Sequence, residues 1–412
     1  MLNLLYAVLK WSLVLRLLFA LSLITLNPLF AWGVACYGRH VYRKINLPEE
    51  ALSRMGKLFG YLRTIILLIT MLPASMIIYF SSAEPFDRNF PDEGFIGLLV
   101  VALIGLTFLV KACQRFIIHR TVKSIRGTTA PFKKQFGIML RSYTIVLIPL
   151  IVMVIALLNL PERVSTAFWS QKVYPVSMLA AYIVFLRFLT PLTIKFVRKT
   201  VPLGDEALLE RLKSLFFKAG LKEGKIRVLP AVGSKIANAG VTSFFRGNIF
   251  LTDYMINSLT PEEIEAIFAH ELGHLKKGHL WVRLFASILW APLYLFFDRL
   301  ATAAHMEVLS FPYLISIIIF FVFYFRIVLH FLSRIQERQA DCFVLKMGIP
   351  SITMISALYK IARLNHIKLK PGKIDERLQS HPSIERRIKW LMMAGNLSEG
   401  SVDSLPESNI AN

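Results

Sequence analysis

Long apolar runs separated by short polar stretches fill the first half of this chain. A second pair follows near residue 300, and about seven runs in all are long enough to cross a bilayer as helices. They lie at about 11–36, 59–80, 94–112, 138–160, 175–195, 281–302 and 310–331. Between the fifth and the sixth the pattern changes. Asp205 to Ala219 places Leu208, Leu209, Leu212, Leu215 and Phe216 on one face, which predicts an amphipathic helix. Lys225 to Leu229 alternates and predicts a strand. Phe244-Phe245, Arg246-Gly247-Asn248 and Ile249-Phe250-Leu251 predict a hairpin turning at Gly247-Asn248. Thr260-Pro261-Glu262-Glu263 is a complete helix start, with a Thr cap, Pro at the first helical position and Glu placed for a capping box. Ile264, Ile267, Phe268 and Leu275 give that helix an apolar stripe, and Lys276, Lys277 and Gly278 close it. Residues 332–396 return to helical periodicity, and the Ser- and Glu-rich tail at 397–412 reads as disordered. The organisation expected is a five-span bundle at 1–200, a first catalytic segment at 201–280, a two-span hairpin at 281–331 and a second catalytic segment at 332–396.

Composition supports the membrane reading. The chain has 412 residues, of which 55% are hydrophobic, and its mean hydropathy is +0.55, too apolar for a soluble enzyme of this length. Lys10 and Arg16 sit in or beside a first run too long for the core of a cleaved signal peptide. The formal charge of +22 does not point to nucleic acid, because no basic-aromatic module accompanies it and the charge sorts by loop. Arg39, Arg43, Lys44, Arg54 and Lys57 follow the first span. Glu84, Asp87, Asp92 and Glu93 follow the second, and the loop after the third holds seven basic residues between Lys111 and Lys134 with no acid. This alternation puts the N-terminus outside and the segments after the fifth and seventh spans inside. Arg187 and Arg326, within spans, mark a protein interior or a watery cavity. Cys36, Cys113 and Cys342 have neither metal-type nor disulfide-framework spacing.

Ala269-His270-Glu271-Leu272-Gly273-His274 falls inside the helix predicted after Thr260. The i, i+4 spacing stacks both imidazoles on one face, where they can hold one zinc ion while Glu271 reaches a metal-associated water. Two histidines leave zinc needing a third protein ligand. Glu337 and Asp341, four apart on a predicted helix that leaves the seventh span on the same side, supply it. One acid binds the metal while the other accepts the N–H of a ligand histidine. A seven-span transporter or receptor with an incidental motif is the rival of another class, and it predicts no bound zinc. An inactive scaffold would normally lose the general base, and Glu271 is present.

His270-Glu271-Leu272-Gly273-His274, the Ser333-Arg334 to Ala340-Asp341 block, His381-Pro382-Ser383 with Arg387-Ile388, and Asn238-Ala239 together resemble the integral-membrane zinc peptidases of the type I CAAX prenyl endopeptidases and HtpX-type heat-shock proteases, of gluzincin type. The resemblance implies a mainly α multi-pass protein of about seven transmembrane helices enclosing a chamber, with an α+β zinc metallopeptidase domain. It implies one zinc per chain on His270, His274 and Glu337, Glu271 as general base, Asp341 supporting a ligand histidine, and His381 donating to the oxyanion. Asn238 and Arg387 would lie at the substrate cleft, and His279 would be structural. Five spans before the zinc helix resemble the prenyl-endopeptidase branch, with an HtpX-like quality-control protease as the alternative. The implied partners are a protein or peptide substrate and the lipid bilayer. Chain length and the absence of an ER-retention tail point to a prokaryotic inner membrane with the site cytoplasmic, the endoplasmic reticulum being the alternative.

Overall fold

The computed structural model describes residues 13–59, 112–129, 131–158, 199–241, 247–303, 323–372 and 381–398, with isolated positions between them. The expected spans at 59–80, 94–112 and 175–195, Arg187, and the strand expected at Phe244-Phe245 lie wholly or largely outside the described residues. Two units divide the chain near residue 158.

In the first unit, helices α1 (Leu13–Ile45) and α2 (Phe132–Leu158) contain the first and fourth apolar runs. Each carries an internal proline, Pro28 and Pro149. That residue removes an i to i−4 hydrogen bond from each helix. Val34, Val41, Ala51, Met55 and Ile125 bury one another, and Arg39 Nη1 donates to Thr121 Oγ1 at 3.0 Å. Leu29, Phe30 and Trp32 on α1 stay exposed.

The second unit combines helices with a small four-stranded sheet. Asp205 caps α3 (Glu206–Lys218) by accepting from the Leu208 N–H, and Leu208, Leu212, Leu215 and Phe216 are buried as their spacing predicts. Strands β1 (Val201–Pro202), β2 (Ile226–Leu229), β3 (Ala239–Val241) and β4 (Ile249–Thr252) order as β1-β2-β4-β3. β2 and β4 run parallel with Val228 opposite Leu251, while β3 pairs antiparallel with β4 and forms an edge. The antiparallel partner of β4 is thus Ala239–Val241, upstream of the expected Phe244-Phe245. Gly247 sits in the connection at φ +58, a left-handed conformation that glycine adopts without strain.

Helix α4 (Pro261–Lys276) begins as its sequence dictates. Thr260 N–H donates to Glu263 Oε2 at 2.8 Å and Glu263 N–H to Thr260 Oγ1 at 3.4 Å. Glu263 is buried and also takes Ser356 Oγ and Lys360 Nζ at 2.7 Å each, which fastens the start of α4 to α7 (Ser351–Asn365). Arg211 of α3 pairs with Glu262 and Glu265 on the outer face. Ile264, Ile267 and Phe268 fill the core, with the Phe268 ring edge-on to Phe216 at 5.5 Å.

Lys277 caps α4, Gly278 turns the chain at φ +64, and α5 (His279–Ala303) starts at once. Among the described residues its segment His279–Leu300 is the one helix long and apolar enough to cross a membrane. Only 22% of its apolar window is buried, so it is not the core helix of a globular domain. Phe285, Leu289, Phe296 and Leu300 face outward, an apolar surface that needs an apolar environment. The chain returns through a π-helical turn at Tyr324–Val328, where Tyr324 O–H donates to Ala286 O of α5 at 2.7 Å.

From that turn comes α6 (Leu329–Lys346), followed by α7 and α8 (Ile384–Ala394). α6 packs directly on α4, and Gly273 is the reason. A Cβ added there would lie 3.0 Å from Phe343 Cβ and 3.1 Å from the Ala340 Cα. The opposing residue is itself Ala, so two backbones meet with almost no side chain between them. We predict that Gly273→Val forces the helices apart and lowers stability by about 1–3 kcal/mol, as overpacking does. Thermal unfolding in detergent reads this as a fall in the midpoint; an unchanged midpoint would show that the contact is not tight.

Candidate active site

The close packing of α4 on α6 decides where three ligand atoms meet. His270 and His274 lie one turn apart on the face of α4 turned to α6, and Glu337 projects from α6 between them. The two Nε2 atoms are 3.3 Å apart. Glu337 Oε2 is 3.5 Å from His270 Nε2, and Oε1 is 3.5 Å from His274 Nε2. Bonds of about 2.0–2.2 Å in a tetrahedral zinc site place neighbouring ligand atoms about 3.3–3.6 Å apart. The triangle fits that edge length, and its three residues are all buried. Two imidazoles and one carboxylate are also the donor set of a catalytic rather than a structural zinc. The residues present therefore fit zinc.

Behind each histidine stands a different support. Asp341 Oδ1 is 2.9 Å from His270 Nδ1 and accepts its N–H, which turns Nε2 towards Glu337. Arg387 of α8 grips the same carboxylate with Nε at 2.9 Å and Nη2 at 2.6 Å, and its Nη1 lies 3.9 Å from Glu337. His274 Nδ1 faces His279 Nδ1 at 2.7 Å. On the open side His381 Nδ1 is 3.0 Å from Glu337 Oε1, with its side chain 62% exposed.

The buried groups of the site hold one another in unequal charge states. Among protein groups alone, burial would lower the His270 imidazole. Hydrogen bonds to Asp341 and Glu337 outweigh that and hold it at about 9. Burial, with the like charge of His270, drops His274 to about 2. Burial would raise Glu337, but His270 and His381 keep it well below the usual carboxylate range. Burial likewise opposes ionisation of Asp341, and Arg387 and His270 reverse it. Glu271, half-buried beside His270, is pushed up chiefly by burial, the direction that makes a carboxylate a better proton acceptor.

His270, His274, Glu337, Asp341, His381 and Arg387 are thus brought together, with Glu271 beside them on α4. Asn238 is exposed and leads into β3. Its N–H donates to Thr252 Oγ1 at 2.9 Å and its carbonyl accepts from the Thr252 N–H at 2.9 Å. Asn365 clamps the preceding residue, accepting from Ala237 N–H at 3.0 Å and donating to Ala237 O at 2.7 Å. The start of this edge strand, which lies against α4, is therefore fixed. Sequence reasoning passed over Asn365, Gln336, Gln339 and Arg283. Arg283 Nη2 approaches Glu337 Oε1 at 3.8 Å. Polar residues on charged helices carry no signal of such partners until the helices are docked.

Arg387 is buried at the back of the site. We predict that Arg387→Met strips a buried carboxylate of its partner and costs about 3–5 kcal/mol of stability. Arg387→Lys, which keeps the charge without the fork, should cost less. Denaturant unfolding measures both. A variant with normal stability and only a raised KM would instead give Arg387 a direct contact with substrate.

Residues 202–393 match Peptidase family M48. The chain is 26% identical to CAAX prenyl protease 1 of Saccharomyces cerevisiae over 235 residues, which cover 50% of this chain and 51% of that protein. It therefore spans about half the length of the yeast relative. Over 233 residues it is 30% identical to the protease HtpX homolog of Moorella thermoacetica, covering 45% of this chain and 70% of that one. The crystal structure of S. mikatae Ste24p is similar in fold, with a TM-score of 0.64 at 19% identity over 87% of this chain and 89% of that chain. The matched stretch runs from β1 into α8 and so holds every group that converges on His270 and His274; the chain belongs to peptidase family M48, the CAAX- and HtpX-type metallopeptidases.

Proposed function

We propose that this chain is a membrane-integral zinc metalloendopeptidase that hydrolyses peptide bonds in membrane-associated or membrane-derived proteins, in the manner of the type I CAAX prenyl endopeptidases. The observation that carries the reading is the convergence of His270, His274 and Glu337 at ligand-to-ligand distances, with Glu271 adjacent. These three residues would hold one zinc, which when bound supplies Lewis acidity to the scissile carbonyl and to a water. Glu271 accepts the proton of the attacking water and passes it to the leaving amine. His381, exposed on the open side, donates to the developing oxyanion. Asp341 holds the His270 tautomer, and Arg387 acts through Asp341. Asn238 and β3, an edge strand among the described residues, receive the substrate backbone as an added strand. The 30% identity with the HtpX homolog favours a second reading, membrane-protein quality control by the same chemistry.

In this reading the chain has about seven spans, five before α4 and two between α4 and α6. The lipid-compatible face of α5 and the alternating loop charge support that arrangement. The N-terminus lies outside and the zinc site inside, most naturally in a prokaryotic inner membrane.

We predict that Glu271→Gln keeps one zinc per chain by elemental analysis while turnover of a quenched fluorescent peptide falls by about 10²–10⁴-fold. A chelator should abolish wild-type turnover, and added zinc should restore it. Near-normal turnover in Glu271→Gln would remove it as the base. Turnover indifferent to metal removal would overturn the zinc reading altogether.

A further inference from the structure

The support behind His274 is not a carboxylate. Its Nδ1 faces His279 Nδ1 at 2.7 Å, and His279 Nε2 faces Gln339 Oε1 at 2.8 Å. Both imidazoles are buried, while Gln339 reaches the surface. Helix α6 holds the end of α5 that carries His279 a second time, since Gln336 Nε2 donates to His279 O at 3.4 Å. Gln336 also accepts from Arg283 Nε at 2.5 Å.

The direction of this chain follows from its outer end. The Gln339 carbonyl oxygen can only accept, so His279 Nε2 carries the proton and His279 Nδ1 is a lone pair. That lone pair accepts the His274 Nδ1–H, which leaves His274 Nε2 bare and turned towards Glu337. With a donor at the outer end the polarity inverts. His279 Nδ1–H would then point at His274 Nδ1, and His274 would carry its proton on Nε2, where it cannot ligate.

We propose that His279 and Gln339 are positioning residues that hold His274 in its metal-binding tautomer through a neutral two-step relay. The proposal rests on the zinc reading given above. Its chemical sense lies in the charge already present. Glu337 and Asp341 are buried acids and Glu271 is beside them, so a neutral acceptor orients the second histidine without adding another buried negative charge. His270, backed by Asp341, and His274, backed by the relay, are therefore unequal ligands.

The test uses the full-length protein in detergent, with zinc affinity read by competition against a chromophoric chelator and metal-free thermal unfolding read alongside. Gln339→Glu keeps an acceptor, and Gln339→Lys supplies only a donor at the same exposed position. His279→Asn keeps an acceptor near the place of Nδ1, whereas His279→Phe removes it. Gln339→Lys and His279→Phe should weaken zinc by about 10–100-fold, with Gln339→Glu and His279→Asn near wild type. A general structural role would move both Gln339 variants alike, so equal affinities for Gln339→Lys and Gln339→Glu overturn the relay. His270→Ala separates the two levels. If it loses zinc while the Gln339 series stays flat, the relay alone fails; if wild type takes up no zinc, the zinc reading and the relay fail together.

Discussion

The structure depends on one contact, the backbone approach of α4 and α6 at Gly273 and Ala340. Gly273 lies one residue before His274, and Ala340 lies one before Asp341. The absence of side chains at the contact is what lets longer side chains on either side converge. Glu337 then reaches between two histidines of another helix, and Asp341 reaches the back of one of them. A side chain added at Gly273 would press on Phe343 and the Ala340 backbone and so push the two helices apart.

Convergence brings charge into the interior, and the second constraint is its neutralisation. Glu337 and Asp341 are 3% and 2% exposed, a burial that isolated carboxylates do not tolerate. Arg387 meets both from α8, and His381 meets Glu337 from the segment before it. The C-terminal helices therefore complete the electrostatics of a motif that lies far upstream. At the other end of α4, Glu263 binds α7 through Ser356 and Lys360. The helix that carries both histidines is thus fastened at its start by a capping box and near its end by the glycine contact.

Between α4 and α6 the chain makes a different kind of structure. α5 begins at His279, with only Lys277 and Gly278 between it and the end of α4, and presents Phe285, Leu289, Phe296 and Leu300 outward. His279 belongs both to the site and to the apolar helix, as its first residue. The polar interior of the peptidase segment and the apolar surface of α5 meet at that residue.

The sequence by itself determined the elements whose cause is local. Thr260 to Glu263 set the start of α4, Gly278 set its end, and the spacing of Leu208, Leu212, Leu215 and Phe216 set α3. The i, i+4 pair of His270 and His274 was legible because one helix turn suffices to bring them together. Glu337 and Asp341 were legible only as a pair of acids on a helix, and their roles were separated by resemblance rather than by spacing. What only the tertiary structure decided is everything that requires two elements to dock. The pairing of β4 with Ala239–Val241 is one case, since hairpin register is not set by apolar runs alone. The fork of Arg387 on Asp341 and the backing of His274 by His279 and Gln339 are others. Neutral glutamines and a buried arginine have no periodic signature, and their partners lie on helices that share no local sequence. Their partners come within reach only once α4, α6 and α8 dock.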